Sequence, residues 1–242
     1  LFCADASNPE SYLCVLPLFH SFGTTVIQNG GFAFGGTVVM LPRFDAKAAL
    51  GLILKEKVSF FAGVPTMYWG LLGALDAQSD GGAGVDVKEI AANLRVAVAG
   101  GSALPVDIHK QFKERFGVTI LEGYGLSETS PSATCNPVTV KEFSGTIGVP
   151  IPSTWLRILD NDGNDISASG EPGEIAIKGP QVMAGYWQRP DETAKVMTAD
   201  GYFKTGDIGV MDERGYTRIV DRKKDMIPVS YTPLTLPTIY PV

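Results

Sequence analysis

Short apolar runs alternate with amphipathic stretches through the first half of the chain. Residues 12–16, 37–41, 58–62, 94–99 and 118–121 are apolar and bounded by turn residues, which predicts five short strands. Helical spacings lie between them. Asp45 is a natural N-cap for a helix over 46–57 that buries Leu50, Ile53, Leu54 and Lys57 on one face. Pro65 sits near the start of a helix carrying Met67, Leu71, Leu72 and Leu75. Pro105 opens another, with Ile108, Phe112 and Phe116 at i, i+4 and i+8 and Gly117 as its stop. Residues 24–34, apolar and glycine-bearing, predict a buried helix, and residues 79–84 a surface loop. Strand alternating with helix predicts a parallel sheet with helices on its faces. Ligands of such sheets sit outside the carboxyl ends of the strands, so the glycine-bearing exits at Gly100 and Gly123 should open on one crevice.

After Thr129 the pattern changes. Residues 155–159, 174–178, 210–211 and 216–220 read as short strands, with turn clusters at 160–163 and 212–215 and a short helix at 191–197. The expected fold is therefore α/β, a parallel sheet with flanking helices followed by a mainly antiparallel β subdomain. The expected division is an α/β subdomain over 1–130, a β-rich subdomain over 131–222, and a terminal stretch over 223–242.

Composition changes this picture little. Of 242 residues, 45% are hydrophobic and 19% charged, the balance of an ordinary soluble globular protein. A net charge of -6 argues against nucleic acid as the main partner. No apolar run reaches membrane-spanning length and no signal-peptide pattern opens the chain, so a cytoplasmic setting is expected. Cys3, Cys14 and Cys135 are odd in number and widely spaced, which favours reduced thiols, and two histidines, His20 and His109, make a zinc site a poor expectation.

The candidate chemistry centres on residues 122–129, Glu-Gly-Tyr-Gly-Leu-Ser-Glu-Thr, expected to leave the end of a strand. Gly123 and Gly125 allow a tight backbone path around Tyr124, whose ring could stack on a purine. Ser127 and Thr129 offer hydroxyls to phosphate oxygens, and Glu128 is a hard ligand for a magnesium ion shared with a nucleotide. Gly100, Gly101 and Ser102 have no bulk, so a flat base could approach them. A plain strand-to-helix turn would look the same. His20 borders Phe19 and Phe22, as a gate of an acyl pocket or as a satisfied, partly buried histidine. Asp207, after Gly206, could accept both hydroxyls of a ribose or be a surface carboxylate in a hairpin. The cluster from Asp221 to Asp225, with Arg222 and Lys224, reads as a solvated face, a nucleotide contact or a hinge.

Taken in order, residues 17–23, 100–105, 123–129, 170–175, 185–187, 202–207 and 221–225 resemble the adenylate-forming (AMP-binding) superfamily, specifically long-chain fatty-acyl-CoA synthetases. The resemblance implies an incomplete N-terminal domain of an acyl-CoA-synthetase-like fold and a two-step ligase. A fatty acid would attack ATP to give an acyl-adenylate and pyrophosphate, and the thiol of coenzyme A would then displace AMP. It implies that Gly100, Gly101 and Ser102 line the adenine slot, that Tyr124 stacks on the base, and that Gly123 and Gly125 beside it belong to the nucleotide-binding set. Ser127 would bond the phosphate, standing where family members often have threonine. Glu128 would hold Mg2+. Asp207 and Arg222 would bind the ribose, Lys224 would mark the pivot, and His20 would border the acyl pocket. Peripheral membrane contact of the full-length protein is compatible with this reading.

Two departures temper the expected activity. The family's phosphate-binding loop would lie upstream of Leu1, and its catalytic-lysine domain would follow Ser230, where a Pro/Thr run stands instead. The chain is thus expected to be an internal fragment that binds AMP weakly without ATP–pyrophosphate exchange. The competing expectations are an adenylating ligase for an aryl or amino acid, and a nucleotide-binding module without turnover.

Overall fold

A computed structural model describes residues 10–78 and 86–222. The chain divides into two compact units between Ile151 and Pro152.

The first unit is built on a seven-stranded sheet. In chain order its strands are β1 (Ser11–Cys14), β2 (Thr37–Met40), β3 (Phe60–Gly63), β4 (Val96–Ala99), β5 (Ile120–Gly125), β6 (Ser132–Cys135) and β7 (Val149–Pro150), and across the sheet they run β2-β1-β3-β4-β5-β6-β7. β2 through β5 are parallel, as the alternation predicts. β6 and β7 were not predicted, and they extend the sheet antiparallel on the far side of β5. Residues 131–151 therefore stay with the first unit, and the division falls some twenty residues after the expected one at 130.

The helices form where caps and spacing favour them. After a π-helical turn at Phe22–Asn29 come α1 (Gly30–Ala33), α2 (Ala46–Lys55), α3 (Pro65–Gln78), α4 (Val87–Asn93) and α5 (Val106–Phe116). Asp45 Oδ1 accepts the Ala48 N–H at 2.8 Å, capping α2. Leu50 and Ile53 are buried as expected, but α2 ends at Lys55 and Lys57 is exposed with φ 48°, outside the helix. Gly117 stops α5 at φ 68°, its N–H donating to Lys113 O at 2.8 Å. α4 escaped the periodicity argument because it is two turns long, although Asp86 caps its start by accepting the Lys88 and Glu89 N–H groups. Residues 24–34 are helical but not buried all round. Gly23, Ile27 and Gly31 form one buried stripe, while Phe32 and Phe34 are exposed.

The core lies between the sheet and α2, α3 and α5. Phe61, Tyr68, Phe112 and Phe116 make a continuous ring-to-ring path with centroids 5.1, 5.1 and 4.5 Å apart. Tyr68, fully buried, donates its hydroxyl to Val98 O at 2.7 Å and so ties α3 to β4.

The second unit carries an antiparallel sheet ordered β11-β10-β9-β8, from β8 (Trp155–Leu159), β9 (Gly173–Lys178), β10 (Phe203–Met211) and β11 (Thr217–Arg222). α6 (Pro190–Val196) packs by β10. Ile158, Ile175, Ile177 and Phe203 are its buried centre. β10 is much longer than the two-residue strand expected at 210–211. The glycine at 206 disguises its first half, which holds a bulge: the register with β9 shifts between Lys204 and Ile208.

Candidate functional site

The carboxyl ends of β1, β4 and β5 deliver three segments to one cavity of about 230 Å³ in the first unit. Gly100 and Gly101 follow β4. Gly123, Tyr124 and Gly125 come from β5, Ser127 from the turn after it, and His20 and Phe22 from the segment beyond β1. Thr134 and Cys135 of β6, with Ile151, complete the wall. The two glycine-bearing exits thus open on one crevice.

The backbone at 123–125 differs from expectation. These residues do not leave the strand; they are its last three. β5 pairs in parallel with β4 through Glu122 and antiparallel with β6 from Gly123 onward. Gly125 is required by this exchange of partners, since a Cβ there would stand 1.7 Å from Pro131 O. At Gly100 a Cβ would press on Gly123 O at 3.2 Å and on the Phe22 ring at 3.3 Å. These glycines keep the cavity walls flat.

The turn Ser127–Thr129 is 3-10 helical. Thr129 is buried, and its hydroxyl is spent on the turn: it accepts the Leu126 N–H at 2.9 Å and donates to Pro131 O. Thr129 is therefore a staple, not the phosphate ligand its hydroxyl suggested. Ser127 is exposed and lines the cavity. Glu128 is half-buried on the same turn but is not among the lining residues, and neither is exposed Ser102.

His20 is exposed rather than packed away, and its Nδ1 accepts the Phe22 N–H at 3.1 Å. Neutral His20 thus carries its proton on Nε2. His109 is the buried histidine of the chain, enclosed against Phe143 at 5.3 Å between ring centroids. Burial, helped by Lys113, holds its pKa below the ordinary histidine range.

Sequence reasoning missed Cys135, Thr134, Ile151 and Glu122. The alternation in residues 132–135 was a usable signal for β6. Burial pushes the Cys135 thiol up to about 11, so it is an inert wall residue. Cys14 is also free and buried, while Cys3 lies outside the described residues. Glu122 is lifted to about 7 by burial, opposed by hydrogen bonds from Gly145 and Ser144.

In the second unit, Asp207 is buried at 7% exposure, inside β10, and is not a hairpin surface residue. It stands opposite Arg222 of β11. Its N–H donates to Thr205 Oγ1 at 3.1 Å, and Gly206 N–H donates to Glu174 Oε1 at 3.1 Å, which fixes the bulge. Lys224, the expected pivot, lies outside the described residues, as does the 79–84 loop.

Among the described residues no group of three His, Cys, Asp or Glu is assembled to hold a metal. Magnesium shared with a nucleotide asks for only one or two carboxylates beside the phosphates, and Glu128 on the turn next to Ser127 fits that demand. Among the described residues no helix is long and apolar enough to cross a membrane.

A glycine-walled hollow outside the carboxyl ends of a parallel sheet is the ligand site of open α/β proteins. A family model described as AMP-binding enzyme matches residues 3–187, and the chain belongs to that family. It is 42% identical over 218 residues to a long-chain-fatty-acid–CoA ligase of Bacillus subtilis, covering 90% of this chain and 37% of that protein. ATP-bound MatB from Rhodopseudomonas palustris superposes with a TM-score of 0.82 at 32% identity, over 93% of this chain and 42% of that one. The O-succinylbenzoate coenzyme A synthetase MenE of Bacillus subtilis, in complex with AMP, gives a TM-score of 0.76 at 28% identity, over 90% and 42%. The chain thus spans well under half the length of these proteins.

Proposed function

We propose that this chain is the adenosine-binding portion of an acid–thiol ligase that activates a fatty acid as its acyl-adenylate and passes the acyl group to coenzyme A. The observation that carries it is the convergence of Gly100, Gly101, Tyr124 and Ser127 on one cavity. The flat walls suit a base, the Tyr124 ring can stack on it, and the Ser127 hydroxyl can donate to a phosphate oxygen. Carboxylates are poor electrophiles, and joining one to AMP makes an anhydride that a thiol can attack. Charge building on the phosphate needs fixed donors and a cation. In this reading Glu128 would hold magnesium, which supplies that cation when bound. Asp207 and Arg222 would serve the ribose hydroxyls, Lys224 the pivot, and Ser102 the adenine slot. His20, with Nε2 carrying its proton, would border the acyl and thiol approach.

The fatty-acid assignment rests on the naming of the curated relatives, with an aryl acid as the second reading, favoured by the likeness to the O-succinylbenzoate synthetase. Acid-dependent ATP–pyrophosphate exchange by the whole protein, compared between long-chain fatty acids and aryl acids, decides between them. Exchange with neither would defeat the ligase reading. For the 242 residues alone the expected result is AMP binding without exchange.

A further inference from the structure

His109 is a buried group that the adenosine site does not use. It lies on α5, 2% exposed, and neither ring nitrogen has a hydrogen-bond partner among the described residues. Lys113 stands one turn further along the same face of α5. Its ammonium donates to Lys141 O at 2.6 Å and pairs with the Glu142 carboxylate. Phe143 lies against the imidazole, the ring centroids 5.3 Å apart and the planes tilted by 59°. Residues 141–143 thus form a cover over the His109–Lys113 face.

The cover is held largely by side chains. No helix or strand runs between Cys135, where β6 ends, and Val149, where β7 begins. The turn at 137–140 closes on itself, Val140 N–H donating to Pro137 O at 2.9 Å and Lys141 Nζ to Val138 O at 3.0 Å. Thr119 Oγ1, just before β5, adds one bond to Lys141 O at 2.9 Å. Lys141 and Glu142 are exposed, so solvent already reaches the outer side of the cover. The chain is fixed again on either side of it, where Asn136 Nδ2 donates to Thr146 O at 2.7 Å. A short surface loop with pinned ends and few buried contacts is the kind of segment that opens without global unfolding.

We propose that His109 is an acid-operated catch: when its ring takes up a proton, residues 141–143 lift from α5 while the sheet beneath stays folded. A neutral ring leaves one donor unpaired in this seat. An imidazolium leaves two and adds a charge among apolar groups, so it calls for water at both nitrogens. The cover is what stands between the ring and that water. Burial and then Lys113 disfavour the charged ring, and Glu142 opposes them. The other elements packed on α5 bring Asp76 of α3, which pairs with Arg115, the exposed Lys88 and Glu89 of α4, and Glu122 of β5. The closed form loses ground as pH falls below 6.5, where an uncovered histidine gains its proton. The catch does not depend on the adenosine-site reading.

The test is amide hydrogen exchange of the full chain, read by NMR from about pH 7.5 down to about pH 5 and corrected for the intrinsic effect of pH on each rate. Taking up one proton on opening multiplies the opening constant by about tenfold per pH unit. The Glu142 and Phe143 amides should approach that slope below 6.5, and they should exchange well ahead of Ala97 and Val98 in β4 at every pH. His109→Phe should flatten the slope, and Glu122→Gln should leave it. Phe143→Ala thins the cover, so the His109 ring protons should titrate closer to 6.5 in that variant. Flat rates in the parent, cover amides exchanging only as fast as those of β4, a slope that survives His109→Phe or is lost in Glu122→Gln, or an unmoved His109 titration in Phe143→Ala would each overturn the catch. Should His109→Phe not fold, the parent rates and the Phe143→Ala titration decide it.

Discussion

Arg222 Nε lies 3.3 Å from Asp207 Oδ1, pairing an exposed guanidinium with a buried carboxylate across β10 and β11. An ion pair with one partner 70% exposed stabilises a fold by about 0–1 kcal/mol. Arg222→Ala is therefore expected to leave the unfolding midpoint of the second unit nearly unchanged while weakening AMP binding at least about tenfold, if the pair serves the ribose. Equal affinity in the variant, measured by calorimetry, would remove Arg222 from the proposed site.

Gly125 tests the partner exchange in β5. With Pro131 O 1.7 Å from the Cβ position, Gly125→Ala cannot be absorbed without backbone movement. The expected cost is about 1–3 kcal/mol or more, read by denaturant unfolding. Gly163→Ala, where nothing lies within 4 Å but φ is 86°, isolates the strain of the left-handed region and should cost about 1 kcal/mol. Equal losses at both positions would argue against the packing account.

Tyr68 tests the tie between α3 and β4. Tyr68→Phe keeps the ring path through Phe61 and Phe112 and removes the donor to Val98 O. A loss of about 1 kcal/mol is expected, with AMP binding intact, by chemical denaturation and calorimetry.

Glu122 and His109 give the first unit opposing pH dependences. Glu122 has its folded pKa raised from 4.5 to about 7, so its contribution is fully present below 4.5 and is lost as pH rises from there through 7. Glu122→Gln should be more stable than the parent above pH 8 and show no such gain below pH 4.5. His109 has its folded pKa lowered from 6.5, so its contribution is present above 6.5 and is lost as pH falls below it. His109→Phe should flatten the acid side of the stability curve. Melting temperatures across pH check both signs, and a parent curve that rises steadily toward high pH would contradict the Glu122 assignment.

Much of this fold is legible in the sequence because burial is one-sided and local. The i, i+4, i+8 spacing in α5, the Asp45 cap and the Gly117 stop each describe a physical requirement that the structure meets at that residue. β6, β7 and the first half of β10 were hidden for a different reason. Pro131 before β6, Pro150 in β7 and the glycines at 125 and 206 read as turns, yet Gly125 at the end of β5 permits a change of partner and Gly206 a bulge, both of which depend on another strand. The cavity shows the same divide. Gly100, Gly101 and Tyr124 announce themselves by type and spacing. Cys135, Thr134 and Ile151 reach the wall only because β6 and β7 return along β5, a contact that no local pattern encodes. Thr129 offered a hydroxyl whose partner, Pro131 O, appears only when the turn is closed.

The most direct measurement is a calorimetric titration of AMP into the folded chain and its Tyr124→Ala and Tyr124→Phe variants. Stacking of a base on an aromatic ring contributes about 1–3 kcal/mol, so the alanine variant should bind roughly 5- to 150-fold more weakly and the phenylalanine variant like the parent. A parent that unfolds cooperatively yet binds no AMP, or an alanine variant that binds it equally well, would contradict the adenosine site.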